Sequence, residues 1–247
     1  MCKGAPGYTV QSGDGLECIF SGIPIPFFNV GLLTARGISG HQLDALAREA
    51  RAFAADMRVP WLFVSTHEAM EPGVDANAIL EECGFAPLMP MTGMVADRVA
   101  SPVAIPAGLE LSRPTDEDGC STILDINSVA YAMDLGAGKG QLGKPSFWNG
   151  HFPVVGRVRG APAVTASVIM VDGIRYVALV ATDPAHQRRG YADAAMRRAL
   201  ELASAVHNDS PTVLHATEAG RPVYARMGYR PLSSHTLYIE QQYLPAH

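Results

Sequence analysis

The sequence predicts an α/β (α+β) fold of two similar halves in which strands and helices alternate. The first observation is an apolar strand at 177–181 that a short turn joins to a long amphipathic helix. The second is Asp172-Gly173 between two apolar runs, which is typical of a two-residue β-hairpin. The third is an internal repeat, because ILEECGFAPLMPMTGMVAD at 79–97 is similar to VYARMGYRPLSSHTLYIEQ at 223–241.

The boundary between the halves is predicted at a segment with two prolines. Pro102 and Pro106 interrupt residues 100–108, a composition that favours a linker. We therefore expect one domain at residues 1–100 and a second at residues 107–247, each long enough to bury a hydrophobic core.

The composition is that of a globular protein, with 48% hydrophobic and 17% charged residues. A formal net charge of −5 and no basic stripe with interleaved aromatics argue against a nucleic-acid partner. No run of apolar residues is long enough to predict a membrane span. Cys2, Cys18, Cys83 and Cys120 are scattered without a CxxC pair, which indicates reduced thiols and a cytoplasmic protein. No HExxH motif occurs, so we expect no metal.

The first half is predicted to contain strands, a long helix, and a second, shorter helix. Ser39 is a plausible N-cap for the long helix, whose apolar residues recur at a spacing of three and four. Gly84 is suited to end the shorter helix. The predicted elements are strands at 16–21 and 27–33, a helix at 40–57, a strand at 61–65, a helix at 75–83 and a strand at 91–96.

The second half repeats this alternation around the strand at 174–181. A segment rich in Gly and Lys at 134–146 is expected to be a mobile loop. The long helix should pack one stripe on the sheet, formed by Ala192, Ala195, Met196, Ala199, Ala203 and Val206. The predicted elements are strands at 109–112, 154–158, 163–171, 174–181, 212–216 and 236–240, and helices at 116–133, 190–206 and 219–227.

The turn before the long helix has the features of an anion site. It reads Gln187-Arg188-Arg189-Gly190-Tyr191-Ala192. The first turn of a helix has backbone N–H groups without intrahelical partners, and the helix dipole adds positive charge there. Gly190 allows close approach to its backbone, and two arginines add charge, so a phosphate group is the expected ligand. Neither GK[ST] nor GxGxxG is present.

This polar-x-x-Gly-x-small turn resembles the pyrophosphate-binding motif of the GCN5-related N-acetyltransferase (GNAT) superfamily, Q/R-x-x-G-x-G/A. Asp183-Pro184 follow the strand, and Tyr224 lies four residues before Gly228, as in that family. The resemblance covers residues 107–241 well. It implies tandem GNAT-like domains, each a mixed, mostly antiparallel sheet flanked by helices.

By the same resemblance, the N-terminal half is a degenerate GNAT-like copy. Ala35-Arg36-Gly37-Ile38-Ser39-Gly40 stands in place of the Q-x-x-G-x-A loop, and Leu80 stands in place of Tyr224. We therefore do not expect this copy to bind CoA productively. Two unrelated α/β pieces with a chance sequence match are the alternative.

The resemblance implies acetyl-CoA as co-substrate. The backbone of one strand end would pair with the pantetheine arm, and a free amide there would stabilise the thioester oxygen as it gains charge. The backbone amides after Gln187 would hold the pyrophosphate. The residues expected to contact the co-substrate are Val180, Ala181, Thr182, Gln187, Arg188, Arg189, Gly190, Tyr191, Ala192 and Asp193.

The resemblance makes Tyr224 the candidate general acid, protonating the leaving thiolate. Packing against the co-substrate for shape alone is the other interpretation of this tyrosine. The general base stays open: Glu218, His215 and a water relay are all candidates. Acceptor specificity is expected from residues 131–152, where Phe147, Trp148 and His151 could form a lid. Trp148 and Phe152 could equally be core residues.

The function predicted is N-acetyl transfer from acetyl-CoA to an amine of a small molecule or protein, by direct attack in a ternary complex. A non-catalytic acyl-CoA-binding regulatory module is the alternative. The remaining expectation about partners is a homodimer, with the N-terminal copy as either a dimer surface or an interdomain surface.

Overall fold

A computed structural model of the chain describes residues 8–99, 104–207 and 210–244. By their contacts, the residues form two compact units. Unit 1 comprises Met1–Gly93 and Leu232–His247, and unit 2 comprises Met94–Pro231. The C-terminal segment thus belongs to the same unit as the N-terminal half, whereas the sequence repeat groups it with residues 107–247. The limits of the two predicted copies stay a prediction.

The strands and helices alternate as the sequence indicates. The strands are β1 (Thr9–Ser12), β2 (Leu16–Phe20), β3 (Asn29–Leu33), β4 (Leu62–Thr66), β5 (Phe85–Ala96), β6 (Leu109–Ser112), β7 (Phe152–Val158), β8 (Ala161–Val171), β9 (Ile174–Thr182), β10 (Thr212–Ala216) and β11 (Arg230–Glu240). The helices are α1 (Gly40–Ala54), α2 (Ala76–Glu82), α3 (Glu117–Tyr131), α4 (Lys139–Leu142), α5 (Tyr191–Ser204) and α6 (Arg221–Arg226).

The sheet of unit 1 has the order β1-β2-β3-β4-β11-β5. β3 and β4 pair in parallel, and α1 connects them, whereas β11 pairs with β4 in antiparallel register from His235↔Thr66 to Ile239↔Leu62. The core beneath α1 includes Trp61, Phe63 and Phe85, and β11 contributes the buried Tyr238 to it. This packing explains why the last strand belongs to unit 1.

The sheet of unit 2 includes β10-β9-β8-β7-β6 in that order. β9 and β10 are parallel and are connected by α5, while β6–β7, β7–β8 and β8–β9 are antiparallel. α3 and α5 both pack against β7, β8 and β9. The expected α/β (α+β) class, with mostly antiparallel sheets flanked by helices, is confirmed.

Three local predictions can be compared with the structure. The Asp172-Gly173 hairpin is confirmed, because both residues have the positive φ angles (47° and 77°) of a tight two-residue turn. The α5 stripe is correct in its centre but wrong at its ends: Ala192 is half-buried and Val206 is 69% exposed, while Tyr191 and Leu200 are buried. Val206 lies beyond the last helical residue, where the chain no longer follows the sheet.

The expected loop at 134–146 is wrong as a structural assignment. Most of it folds into short helical turns, at Gly136–Gly138, Lys139–Leu142 and Pro145–Trp148. The buried Leu142 explains this difference, because it anchors α4 to the protein and its carbonyl accepts a hydrogen bond from Trp148 Nε1 at 2.8 Å.

Cys18, Cys83 and Cys120 are buried free thiols. Cys2 and residues 100–103 of the expected linker lie outside the described residues. No helix in the described ranges has both the length and the apolar character that a membrane crossing requires.

Candidate active site

The parallel strands β9 and β10 separate at one end of the candidate site. Their pairing runs from Arg175↔Thr212 to Val177↔Leu214, after which β9 continues without a described β10 partner as far as Thr182. Leu179 has a φ of +53°, and the register of β8 against β9 shifts beside it. A bulge of this kind redirects backbone groups away from the ladder. The backbone of Val180, Ala181 and Thr182 therefore lies along an opening in the sheet.

The turn after β9 has two residues in the left-handed region. Arg188 has a φ of +61° and Gly190 a φ of +78°. Asp183 fixes the start of the turn, since its carboxylate accepts a hydrogen bond from the amide of Ala185 at 2.9 Å. Among the described residues, the backbone amides of Gln187, Arg188 and Gly190 donate no hydrogen bond. Successive amides turned by left-handed residues form a concavity that binds anions.

The first turn of α5 completes this concavity. The amides of Tyr191, Ala192 and Asp193 are among those that a helix leaves without intrahelical acceptors. The Tyr191 side chain is buried, with its ring 6.2 Å from that of His186, so it anchors the turn to the core. Asp193 forms an ion pair with Arg197 at 2.9 Å, which offsets its negative charge beside the concavity. Gln187, Arg188, Arg189 and Gly190 are exposed.

Tyr224 lies on α6 with its ring half-buried. A Cβ atom added to Gly220 would lie 2.9 Å from Cε2 of Tyr224, so the glycine makes room for the ring. Burial raises the pKa of Tyr224 well above the usual tyrosine value, and negative charge on Tyr131, Tyr229 or Tyr176 would raise it further. The hydroxyl has no hydrogen-bond partner within the described part of the chain. Tyr224 is therefore a neutral phenol at neutral pH and can donate a proton.

Two further tyrosines lie in this region; the sequence analysis did not include Tyr176, and it included Tyr131 only as the first residue of the expected acceptor segment. The Tyr131 hydroxyl, at the end of α3, donates a hydrogen bond of 2.7 Å to the carbonyl of Val180. The Tyr176 hydroxyl lies 3.1 Å from Nδ1 of His215, and burial raises the pKa of Tyr176 to about 12. Tyr131 is distant in sequence from Val180, and Tyr176 is distant from His215, so short-range patterns gave no signal of either contact.

The candidate bases and the expected acceptor segment differ in their surroundings. His215 and Glu218 are both exposed, and His215 has the Tyr176 contact. Trp148 and Phe152 are core residues, 2% and 3% exposed, so the core interpretation holds for both. Phe147 packs edge-on against Trp148, with ring centroids 5.1 Å apart.

Comparison with known proteins shows which family has a similar domain. The family model described as "Acetyltransferase (GNAT) domain" matches residues 158–238. The chain carries a GNAT domain. The match begins at the end of β7 and covers the opening in the sheet, the turn at 187–190 and Tyr224. The resemblance found in the sequence is confirmed.

Solved structures extend the GNAT fold to nearly the whole chain. A GCN5-related N-acetyltransferase from Kribbella flavida is 19% identical with a TM-score of 0.70, covering 95% of this chain and 90% of its own. A functionally unknown conserved protein from Staphylococcus epidermidis ATCC 12228 is 14% identical with a TM-score of 0.68, covering 97% and 96%. A tandem GNAT protein from the clavulanic acid biosynthesis pathway is 15% identical with a TM-score of 0.61, covering 98% and 85%. No curated protein sequence matches the chain.

In unit 1, the chain segments after the parallel strands β3 and β4 pair with each other again. β3 and β4 pair as far as Leu32↔Val64, and the two segments pair again at Ile38↔Met70. Ile38 donates a backbone hydrogen bond to Ala69 at 2.9 Å and is 2% exposed. Among the described residues, backbone pairing is therefore resumed after β3 and β4, whereas no such bridge follows the pairing of β9 and β10.

The helix that follows in unit 1 has a side-chain cap, which α5 does not have. Ser39 and Gln42 form a reciprocal capping box, in which each side chain accepts a hydrogen bond from the other's backbone amide. Clefts of about 560 Å³ and about 370 Å³ also lie in unit 1, and neither is lined by a predicted site residue.

Proposed function

We propose that the GNAT domain transfers the acetyl group of acetyl-CoA to an amine of a small molecule or protein. The observation that carries the proposal is the opening between β9 and β10, next to a turn whose amides have no acceptors. An extended polar arm can add to the free edge of a strand, and a diphosphate can bind where several amides converge. Both features lie on one continuous segment, residues 180–193.

The residues present fit acetyl-CoA in their charge and in their free backbone amides. The amides of Gln187 to Asp193 would hold the diphosphate, and the exposed side chains of Arg188 and Arg189 would offset its charge. Val180, Ala181 and Thr182 would pair through their backbone with the pantetheine arm. Acetyl-CoA supplies the acetyl group as a thioester, whose sulfur is a good leaving group.

The chain's own groups then have three tasks in the transfer. An amide at the Leu179 bulge, turned out of the ladder, would stabilise negative charge on the carbonyl oxygen as the amine nitrogen bonds to the acyl carbon. When the C–S bond breaks, the phenol of Tyr224 gives its proton to the sulfur. The excess proton on the amine leaves to Glu218, His215 or water, and the exposure of both side chains suits that transfer.

The test is release of free CoA from acetyl-CoA in the presence of a panel of primary amines and amine-bearing peptides. We expect release above the amine-free rate with at least one acceptor, and loss of that release in Tyr224→Phe. Binding of acetyl-CoA without release for every amine would instead support a non-catalytic acyl-CoA-binding module.

We also propose that residues 1–100 and 107–247 are two copies of one ancestral GNAT unit. The repeated order of strand, long helix, strand, short helix and strand supports this, as does one parallel strand pair flanking the long helix of each half. Only the second copy would bind acetyl-CoA.

A further inference from the structure

We infer that Tyr131 limits the acyl group at this site to a short chain, so that acetyl-CoA is preferred over longer acyl-CoA thioesters. The inference rests on the proposed function and adds the acyl-chain length that the site accepts. Its starting point is the hydrogen bond of 2.7 Å from the Tyr131 hydroxyl to the Val180 carbonyl. This bond places an aromatic side chain at the opening where the thioester would lie.

The position of Tyr131 is fixed from both ends. It is the last residue of α3, which packs against β8 and β9, and Ala132 ends the helix in a left-handed conformation with a φ of +51°. At the other end of the side chain, the hydroxyl is held by the carbonyl of Val180. A side chain held at backbone and tip does not rotate away without losing a hydrogen bond.

Tyr224 is the second tyrosine that the proposed transfer places beside the thioester. Its ring is placed by Gly220, and it is close enough to Tyr131 for a charge on one phenol to affect the other. The reacting carbonyl must lie near Val180 to use the bulge at Leu179, and its sulfur must reach Tyr224. The acyl chain therefore extends toward Tyr131. A methyl group requires little space there, whereas each added methylene must displace the Tyr131 ring and break its bond to Val180.

Tyr131 can be replaced without disturbing the core. The residue is 49% exposed and stands at a helix end, and Val129 on the same helix is 56% exposed. Val129→Ala therefore serves as a matched control that shortens a neighbouring exposed side chain of α3. Tyr131→Phe keeps the ring and removes only the hydroxyl.

The experiment measures the Kd of acetyl-CoA and of butyryl-CoA by calorimetry for the wild-type chain, Tyr131→Ala, Tyr131→Phe and Val129→Ala. We expect the wild type and Val129→Ala to prefer acetyl-CoA by about tenfold for each added methylene. Tyr131→Ala should lose most of that preference, because the Kd of butyryl-CoA falls relative to that of acetyl-CoA. Tyr131→Phe should retain more of the preference than Tyr131→Ala, because the ring stays.

Equal Kd ratios in the wild type and Tyr131→Ala would overturn the inference while leaving the proposed function intact. A wild type that binds both thioesters equally would also overturn it. If the wild type binds neither thioester, the proposed function itself fails, and the two failures are thereby distinguished.

Discussion

Val177 of β9 and Leu214 of β10 are the last residues that pair these two parallel strands. In unit 1 the equivalent pairing ends at Leu32 and Val64 but is resumed at Ile38 and Met70. The same order of strand, helix and strand is therefore followed by renewed backbone pairing in unit 1 and by none in the described residues of unit 2. Backbone pairing, rather than the order of elements, distinguishes unit 2, which we expect to bind a co-substrate, from unit 1, which we do not.

The first prediction is that one molecule of acetyl-CoA binds per chain. The backbone of Ile38 pairs with Met70 beyond the end of β4, so the pantetheine arm has no free strand edge there. The side chains of Ser39 and Gln42 already accept hydrogen bonds from two amides at the start of α1, which leaves fewer for a diphosphate. Calorimetric titration should give one site. Two sites of comparable affinity would contradict the assignment of a closed N-terminal copy.

The second prediction concerns Tyr224 as the proton donor. Tyr224→Phe should lower kcat by about a hundredfold, the lower end for acid–base catalysis, with little change in the Kd of acetyl-CoA. Tyr243→Phe, in unit 1, is the matched control and should have wild-type kinetics. An unchanged kcat in Tyr224→Phe would leave the tyrosine with a packing role only.

The pH dependence of the rate gives a third prediction about the same residue. Because burial raises the pKa of Tyr224, its proton is present throughout the neutral range and is lost only above the usual tyrosine pKa of about 10. Deprotonation of Tyr224 should therefore not lower the kcat of the wild type below about pH 10. Any alkaline decline of kcat in that range should also be present in Tyr224→Phe. A decline at neutral pH that disappears in this variant would show a lowered pKa and contradict the structure.

Much of this site could be predicted from the sequence. The features that were not predicted depend on unusual backbone conformations or on tertiary packing. The turn at 187–192 and Tyr224 lie on local patterns of strand, turn and helix, which short-range sequence signals predict well. The left-handed Arg188 and the bulge at Leu179 carry no such signal, because neither residue type favours a positive φ. Tyr131 and Val180 are distant in sequence, and only tertiary packing brings them together.

The pairing of β11 with β4 could not be predicted from the sequence, for a related reason. The repeat placed residues 223–241 in the second copy, since a sequence repeat predicts similar local structure and not the final packing partner. The buried Tyr238 packs in the core of unit 1, where its hydroxyl donates a hydrogen bond to the side chain of Asn77.

A fourth prediction tests that packing. Tyr238→Ala should lower the free energy of unfolding by about 3–5 kcal/mol, the usual cost of removing a buried aromatic ring. Tyr238→Phe should cost only about 1 kcal/mol, since it removes the hydrogen bond to Asn77 and keeps the ring. Urea denaturation measures both values. Equal small losses in the two variants would show that β11 is not part of this core.

The cysteines give a fifth prediction. Burial raises the pKa of Cys18 to about 12 and also raises that of Cys83 and Cys120, so each thiol stays protonated at mildly alkaline pH. In a Cys2→Ser chain, a thiol-specific disulfide reagent should react with none of them until denaturant is added. Rapid labelling of the native chain would show that at least one of these thiols is accessible.

The central claim is that the turn at 187–190 and the first turn of α5 bind the diphosphate of acetyl-CoA. The most direct measurement is a thermal-shift titration of acetyl-CoA on the wild type, Ala192→Glu and Ala192→Gln. A carboxylate in the first turn of a helix favours folding but repels a bound anion. We therefore expect Ala192→Glu to raise the stability of the chain without ligand and to weaken the binding of acetyl-CoA. Ala192→Gln matches it in size without the charge.

At about 100 times its Kd, a ligand stabilises the folded chain by about 2.7 kcal/mol. For a chain of this size that corresponds to a rise in Tm of about 5–10 °C. We predict this rise for the wild type, most of it for Ala192→Gln, and none for Ala192→Glu, whose Tm without ligand is at least that of Ala192→Gln. No rise in the wild type, or an equal rise in all three chains, would contradict the account.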